Sequence, residues 1–166
     1  MKQPNILFLM TDQQRIDHIG YHGAGKISTP NMDRLADSVG FTNAETVNPI
    51  CTPARSALMT GKYTHQIGMV GMSGDLSLQH PTYPRALQKA GYHTSGVGKF
   101  HLLQTWRWGA GRREGLDLLA LKPEMRKYGF DYLWETAGKQ LSRQNYCDYC
   151  RHLDDRGMLD LYQIGR

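Results

Sequence analysis

Asn5 is followed by five consecutive apolar residues, Ile6-Leu7-Phe8-Leu9-Met10. The run does not alternate, so it predicts a strand over Asn5 to Met10 buried on both faces, as a parallel sheet requires. Met32, Leu35, Ala36 and Val39 then recur at helical spacing. Thr29 is a good N-cap for that helix, Pro30 suits its first position, and Gly40 ends it. Phe41 to Thr46 predicts a strand, and Pro53 to Thr60 a helix closed by Gly61. Pro84 to Ala90 predicts a further helix, with Leu87 and Ala90 inward and Gly91 as its cap. Tyr92 to Val97 reads as a second core strand and Phe130 to Trp134 as another short one. Asn145 to Arg156 suggests a helix closed by Gly157. Helices and strands in alternation predict an α/β fold, with a mainly parallel sheet flanked by helices. Trp106 to Gly115, rich in Gly, Arg and Trp, reads as a surface loop. Trp106 and Trp108 either shape a subsite there or pack against the domain edge.

Composition narrows the class without choosing a function. The chain has 166 residues, 40% hydrophobic and 21% charged, the ordinary proportions of a globular domain with a real core. The formal net charge is +5, from 20 Lys+Arg against 15 Asp+Glu. That balance agrees with an anionic substrate and equally with a generic basic surface. The basic residues are scattered, with no stripe of interleaved aromatics, so no nucleic-acid partner is expected. No apolar run approaches the roughly 18 residues of a membrane span, so no membrane partner is expected either. Three cysteines are an odd count and argue against a disulfide framework.

The segment with the most chemistry is Cys51-Thr52-Pro53-Ala54-Arg55. The predicted helix puts Cys51 at its N-terminus, where unpaired N–H groups and the macrodipole favour negative charge. Arg55 projects from the same face one turn along. A nucleophile or metal ligand, a positive helix end and a guanidinium together suit a tetrahedral oxyanion such as sulfate or phosphate. A cysteine in this setting also suits a buried small hydrophobe. The residues alone leave both readings open.

Cys51-Thr52-Pro53-Ala54-Arg55, followed by Leu58-Met59-Thr60-Gly61-Lys62-Tyr63-Thr64-His65, resembles the signature of the sulfatase family. Pro4 to Gln14 resembles that family's first strand and metal loop. Thr29 to Ala36 resembles its first helix, and Phe41 to Ala44 the strand after it. Gly91 to Thr94 and Gly96-Val97-Gly98-Lys99-Phe100-His101-Leu102 resemble its Gly-Lys-Trp-His-Leu block. The pieces occur in family order and spacing over residues 4 to 103. The fold implied is that of the alkaline-phosphatase and sulfatase superfamily. The family's domains are much longer, so residues 1–166 are expected to be the N-terminal part of a sulfatase-like catalytic domain, incomplete and inactive alone. The resemblance begins at Pro4, so no cleavable leader is expected in the sequence as written. As written, the chain is expected to be cytoplasmic, or a mature form without its leader.

The resemblance also implies roles. Cys51 would be oxidised by a formylglycine-generating enzyme to formylglycine, an aldehyde whose hydrate is a geminal diol. One hydroxyl attacks sulfur, and loss of the other's proton expels sulfate, splitting one hard step into two. Asp12, Gln13 and converted Cys51 would ligate Ca2+ or Mg2+, hard cations that take oxygen donors. Arg55 would stabilise the alkoxide and the anion, and Lys99 would bind a sulfate oxygen. His101 would take the proton in the elimination, at a pKa suited to neutral pH. Gln13 departs from the aspartate common in the family and removes one negative charge. Phe100 replaces the commoner tryptophan and keeps an apolar wedge. The substrate implied is a small-molecule or carbohydrate sulfate ester. The rivals are a phosphonate monoester or phosphodiester hydrolase of the same superfamily, and a non-catalytic remnant.

Other candidates carry less. Cys147-Asp148-Tyr149-Cys150 is a CxxC that invites zinc or redox chemistry. With only His152 nearby as a third ligand, it reads better as core cysteines on a helix face. His65 is expected to support the Cys51 loop. His18, His22 and His80 read as solvated or capping. Asp17, Asp33 and Asp37 read as solvated or helix-stabilising, and Asp154-Asp155 as a polar helix end.

Overall fold

The structure is a computed structural model that describes residues 3–23, 27–104, 106–109, 112–138 and 141–164. The chain forms two compact units, Met1–Glu45 and Thr46–Arg166. In the first, two 3-10 turns, Ile16–His18 and Gly20–His22, precede helix α1, Pro30–Ala36. Thr29 occupies the N-cap position and Pro30 follows it, as the sequence predicts. The Thr29 hydroxyl nevertheless makes no capping bond to the helix backbone. It donates to Asp33 Oδ1 (2.8 Å) and accepts from the Gly20 N–H (2.8 Å). Asp33 Oδ1 also accepts from the Tyr21 N–H (2.9 Å), so this aspartate ties the second turn to α1 rather than sitting in solvent. Asp17 pairs with Arg15 at 2.7 Å and His18 at 2.9 Å on the surface, where such pairs contribute little.

Neither strand predicted in this unit forms. Asn5–Met10 and Phe41–Thr46 carry no ladder, and their apolar side chains stand in solvent, Leu7 82% and Phe41 79% exposed. A strand coded for burial on both faces needs neighbours along its edges and cover above and below. The first unit has no strand among its described residues to supply them.

The second unit carries the regular structure. Helix α2, Cys51–Thr60, starts two residues earlier than the sequence suggests. Pro53 still lies in the first turn, where its missing N–H breaks no helical bond. Helix α3, Tyr83–Lys89, lies where expected. Strand β1 is Ser95–Gly98, displaced toward the C-terminus from the predicted Tyr92–Val97. Trp106–Gly109 and Arg112–Gly115 form strands β2 and β3 of an antiparallel hairpin, not the predicted surface loop. The side chains of Trp106 and Trp108, and with them the subsite expectation, lie outside the described residues. Helix α4, Leu118–Arg126, has no counterpart in the apolar pattern. Asp117 caps it by accepting from the Leu119 N–H (2.8 Å), and the internal Pro123 argued against a helix.

Strand β4, Tyr132–Glu135, pairs with β1 in parallel, in the register Ser95↔Tyr132 through Gly98↔Glu135. The predicted mainly parallel sheet is thus a two-stranded ladder among the described residues, and the class is mixed α/β. Helix α5, Asp148–Asp154, is shorter than predicted, with Cys147 at its N-cap, and α6, Leu159–Ile164, follows. No helix among the described residues is long and apolar enough to cross a membrane.

The main core packs Met59 of α2 and Leu133 of β4 with Leu76, Leu102, Tyr128 and Phe130. Tyr128 donates its hydroxyl to the Leu76 carbonyl, and burial pushes its phenol up to about 12. A second cluster holds Leu118, Ala137, Cys147 and Cys150. Both cysteines are fully buried reduced thiols 3.3 Å apart, so the CxxC serves as core. Burial, with Cys147 beside it, pushes the Cys150 thiol up to about 12.

Gly129 joins Tyr128 to β4 with φ +107°, and a Cβ there would lie 2.4 Å from the backbone nitrogen of Arg85. Gly91 has φ +87° with open space around it. Gly91→Ala should therefore cost only the left-handed backbone, about 1–2 kcal/mol. Gly129→Ala should cost ~2–5 kcal/mol, because α3 must also move. Denaturant unfolding of both variants checks this. Equal losses would mean that contact with α3 does not constrain position 129.

Candidate functional site

The site is built from α2 outward. Thr52, Pro53, Ser56, Ala57 and Met59 are buried, which fixes the helix by its inner face. Cys51 and Arg55 are left half-buried one turn apart. Cys51 is the first helical residue, so its side chain emerges where backbone N–H groups lack helical partners. Its Sγ lies 3.5 Å from Met72 Sδ. Arg55 reaches across to the segment after β1 and donates from Nη1 to the Lys99 carbonyl (2.5 Å).

Lys99 and His101 lie just beyond the C-terminal end of β1, the end at which open α/β sheets gather functional groups. His101 is 3% exposed, and its Nε2 lies 2.9 Å from the Ala137 carbonyl oxygen. Lys99 is half-buried, with its stem against Gly138. Between them Phe100 packs edge-to-face on Phe130 (centroids 4.9 Å apart), which is the apolar wedge expected there. Four candidates, Cys51, Arg55, Lys99 and His101, therefore belong to one unit, and the Arg55 bond joins the two segments that carry them. Asp12 and Gln13 belong to the other unit, exposed in a bend after the apolar run. His65 is exposed and stacks on Tyr63 (5.8 Å), an arrangement that gives it no bond to the Cys51 segment.

Backbone strain marks the same residues. Among the described residues, the non-glycine positions with positive φ are Gln13 (58°) and His101 (53°). Each costs on the order of 1–2 kcal/mol, and such strain gathers at functional sites. The donor types of Asp12 and Gln13, a carboxylate and an amide oxygen, fit part of a hard cation's oxygen shell. No group of three or more His, Cys, Asp or Glu that could hold a metal ion exists among the described residues.

The sequence reading missed the segment Thr136–Gly138, which follows β4 and touches both Lys99 and His101. The signal was a glycine shortly after a predicted parallel strand. A cleft of about 620 Å³ also escaped it, lined in part by Leu76, Leu103, Gln104 and Tyr128. Asp75 and Glu124 share that lining, which makes it unsuited to the sulfate end of a ligand.

The chain matches the profile of the Sulfatase family over residues 4–163. It is 34% identical over 149 residues to an N-acetylglucosamine-6-O-sulfatase of Bacteroides thetaiotaomicron, covering 87% of this chain and 25% of that protein. It is 37% identical over 135 residues to an ulvan-active sulfatase of Formosa agariphila, covering 81% and 24%. Among solved structures, the sulfatase yidJ from Bacteroides fragilis superposes with a TM-score of 0.65 at 30% identity, covering 84% of this chain and 33% of that one. A protein solved in complex with its substrate D-glucosamine-2-N,6-O-disulfate gives 0.61 at 26% identity, covering 94% and 38%. The chain spans about a quarter of the length of these curated relatives.

Glu135 is 3% exposed at the end of β4. Its N–H donates to Asp148 Oδ2 (2.8 Å), and Asp148 Oδ1 accepts from Lys122 (2.6 Å) and Arg151 (3.1 Å). Burial pushes the Glu135 carboxyl up from about 4.5 to about 8; Asp148 adds to this and Lys122 opposes it. Between those two values the native chain binds a proton that the unfolded chain has released. Stability should therefore be greatest below pH 4.5 as far as this group is concerned, and should fall as pH rises toward 8. Glu135→Gln keeps the shape without the charge. Unfolding free energies from pH 5 to 8 should show a flatter slope in the variant and a gain at the alkaline end. An unchanged slope would show that Glu135 ionises normally.

Proposed function

The chain belongs to the sulfatase family, and from that premise we propose that it serves the hydrolysis of a sulfate ester, with Cys51 as the precursor of a formylglycine nucleophile. The observation that carries the reading is the Arg55–Lys99 bond, which joins the Cys51 helix to the segment bearing Lys99 and His101. Residues 1–166 would be the N-terminal part of the catalytic domain. The relatives' names speak for a carbohydrate sulfate as substrate, since one acts on N-acetylglucosamine 6-O-sulfate and another on ulvan.

The proposed roles follow from position and charge. The start of α2 directs backbone N–H groups toward residue 51, which favours an anion there. Arg55 adds a permanent positive charge one turn along, and its bond to the Lys99 carbonyl limits its rotation. Lys99 supplies a second cationic group for a sulfate oxygen, as a point charge. His101, buried beside them, is the group to accept a proton as sulfate leaves. Asp12 and Gln13 would hold a calcium or magnesium ion through oxygen donors. Such a cation would supply Lewis-acid stabilisation of negative charge. A formylglycine-generating enzyme is the partner this chemistry needs.

The test is direct. Mass spectrometry of the tryptic peptide containing Cys51 should show the thiol converted to an aldehyde. The full-length parent that carries residues 1–166 should cleave 4-nitrophenyl sulfate in preference to a phosphonate monoester, and Cys51→Ala in it should cut the rate at least about a thousandfold. Unmodified thiol in active protein would sink the formylglycine reading, and preference for the phosphonate would move the chain to the rival hydrolase class.

A further inference from the structure

The geometry points to the segment Thr136–Gly138 after β4 as the positioning element of this site: it holds His101 with its proton on Nε2 and props the side chain of Lys99. The inference rests on the roles proposed above for those two residues. The Ala137 carbonyl, 2.9 Å from His101 Nε2, can only accept a hydrogen bond, so Nε2 must donate. In the neutral ring the basic lone pair then lies on Nδ1, and that atom would take the proton. Ala137 is 1% exposed and His101 3%, so water cannot readily replace this partner.

Gly138 makes the other contact. Its φ is +85°, and a Cβ there would lie 3.1 Å from Lys99 Cδ and 3.3 Å from Cε. The lysine stem therefore runs across the open face of the glycine. This segment is itself anchored to the end of β1. Thr136 N–H donates to the Gly98 carbonyl (3.0 Å), and Gly138 N–H to Thr136 Oγ1 (3.3 Å). Ser142, fully buried, donates its N–H to the Gly138 carbonyl (3.0 Å). One short segment thus sets two side chains that precede it in the sequence by 36 residues or more.

Two measurements test this. Long-range proton–nitrogen correlation spectra of histidine-labelled protein, without substrate or cation, should show His101 as one Nε2-protonated tautomer whose Nε2 proton exchanges slowly with water. A proton on Nδ1, or averaged tautomers with rapid exchange, would overturn the histidine half. This readout needs no sulfatase activity, so its failure is distinct from failure of the proposed function. For the lysine half, Gly138→Ala in the full-length parent should raise KM for 4-nitrophenyl sulfate about tenfold or more with a smaller change in kcat. In a Lys99→Met background the same substitution should leave KM unchanged. A fall in kcat alone, or a KM effect that persists without Lys99, would show that Gly138 only shapes the chain.

Discussion

The parallel pairing of β1 with β4 is the constraint on which the rest of the second unit depends. Its register sets Gly98 opposite Glu135, so the segments leaving the two strands emerge at the same end and side by side. Lys99 to His101 leaves one strand and Thr136 to Gly138 the other. Parallel strands cannot be joined by a tight turn, so the chain between them must travel through the hairpin and α4 before it returns. That detour places Met125, Tyr128 and Phe130 in the core under the ladder. A shift of one residue in the register would move Ala137 away from His101 and turn Leu133 from the core toward solvent.

A second tie completes the arrangement. The α2 helix does not contact the site through its backbone alone. Arg55 bonds to the carbonyl of Lys99, so the helix end and the post-strand segment are held as one body. A guanidinium suits this better than an ammonium would, because its planar fork of donors can bond a backbone oxygen and still direct charge elsewhere. Burial of Thr52, Ser56 and Met59 fixes the helix's rotation, and rotation decides where Cys51 and Arg55 point.

Much of this was legible in the sequence, and the failures have physical causes. Helices α2 and α3 were readable because proline and glycine mark their ends chemically. The candidate residues of the second unit were readable as candidates from the Cys51–Arg55 segment and the Lys99–His101 block. The run Ile6–Met10 was misread because an apolar run encodes burial, while a strand also requires partners that the run does not contain. The hairpin was missed because its strands are only four residues long and end in glycine, and Arg112-Arg113-Glu114 carries no apolar residue to mark a strand. Ala137 was invisible for a different reason. It acts through its backbone carbonyl, and every residue has one, so no side-chain pattern announces it.

The distribution of strain argues the same point from energy. A left-handed backbone at a residue with a Cβ is a cost that folding must carry, and glycine would remove it. Elsewhere in the described chain positive φ falls on glycines, as at Gly61, Gly91 and Gly129. Gln13 and His101 keep side chains where glycine would be cheaper. At His101 the reason is visible in the fold. The ring is buried against the Ala137 carbonyl, and glycine would leave that oxygen without its donor. The strain at this position is thus balanced by a bond that only the side chain can make. Stability alone would accept several solutions here, and the one adopted keeps a titratable ring beside Lys99.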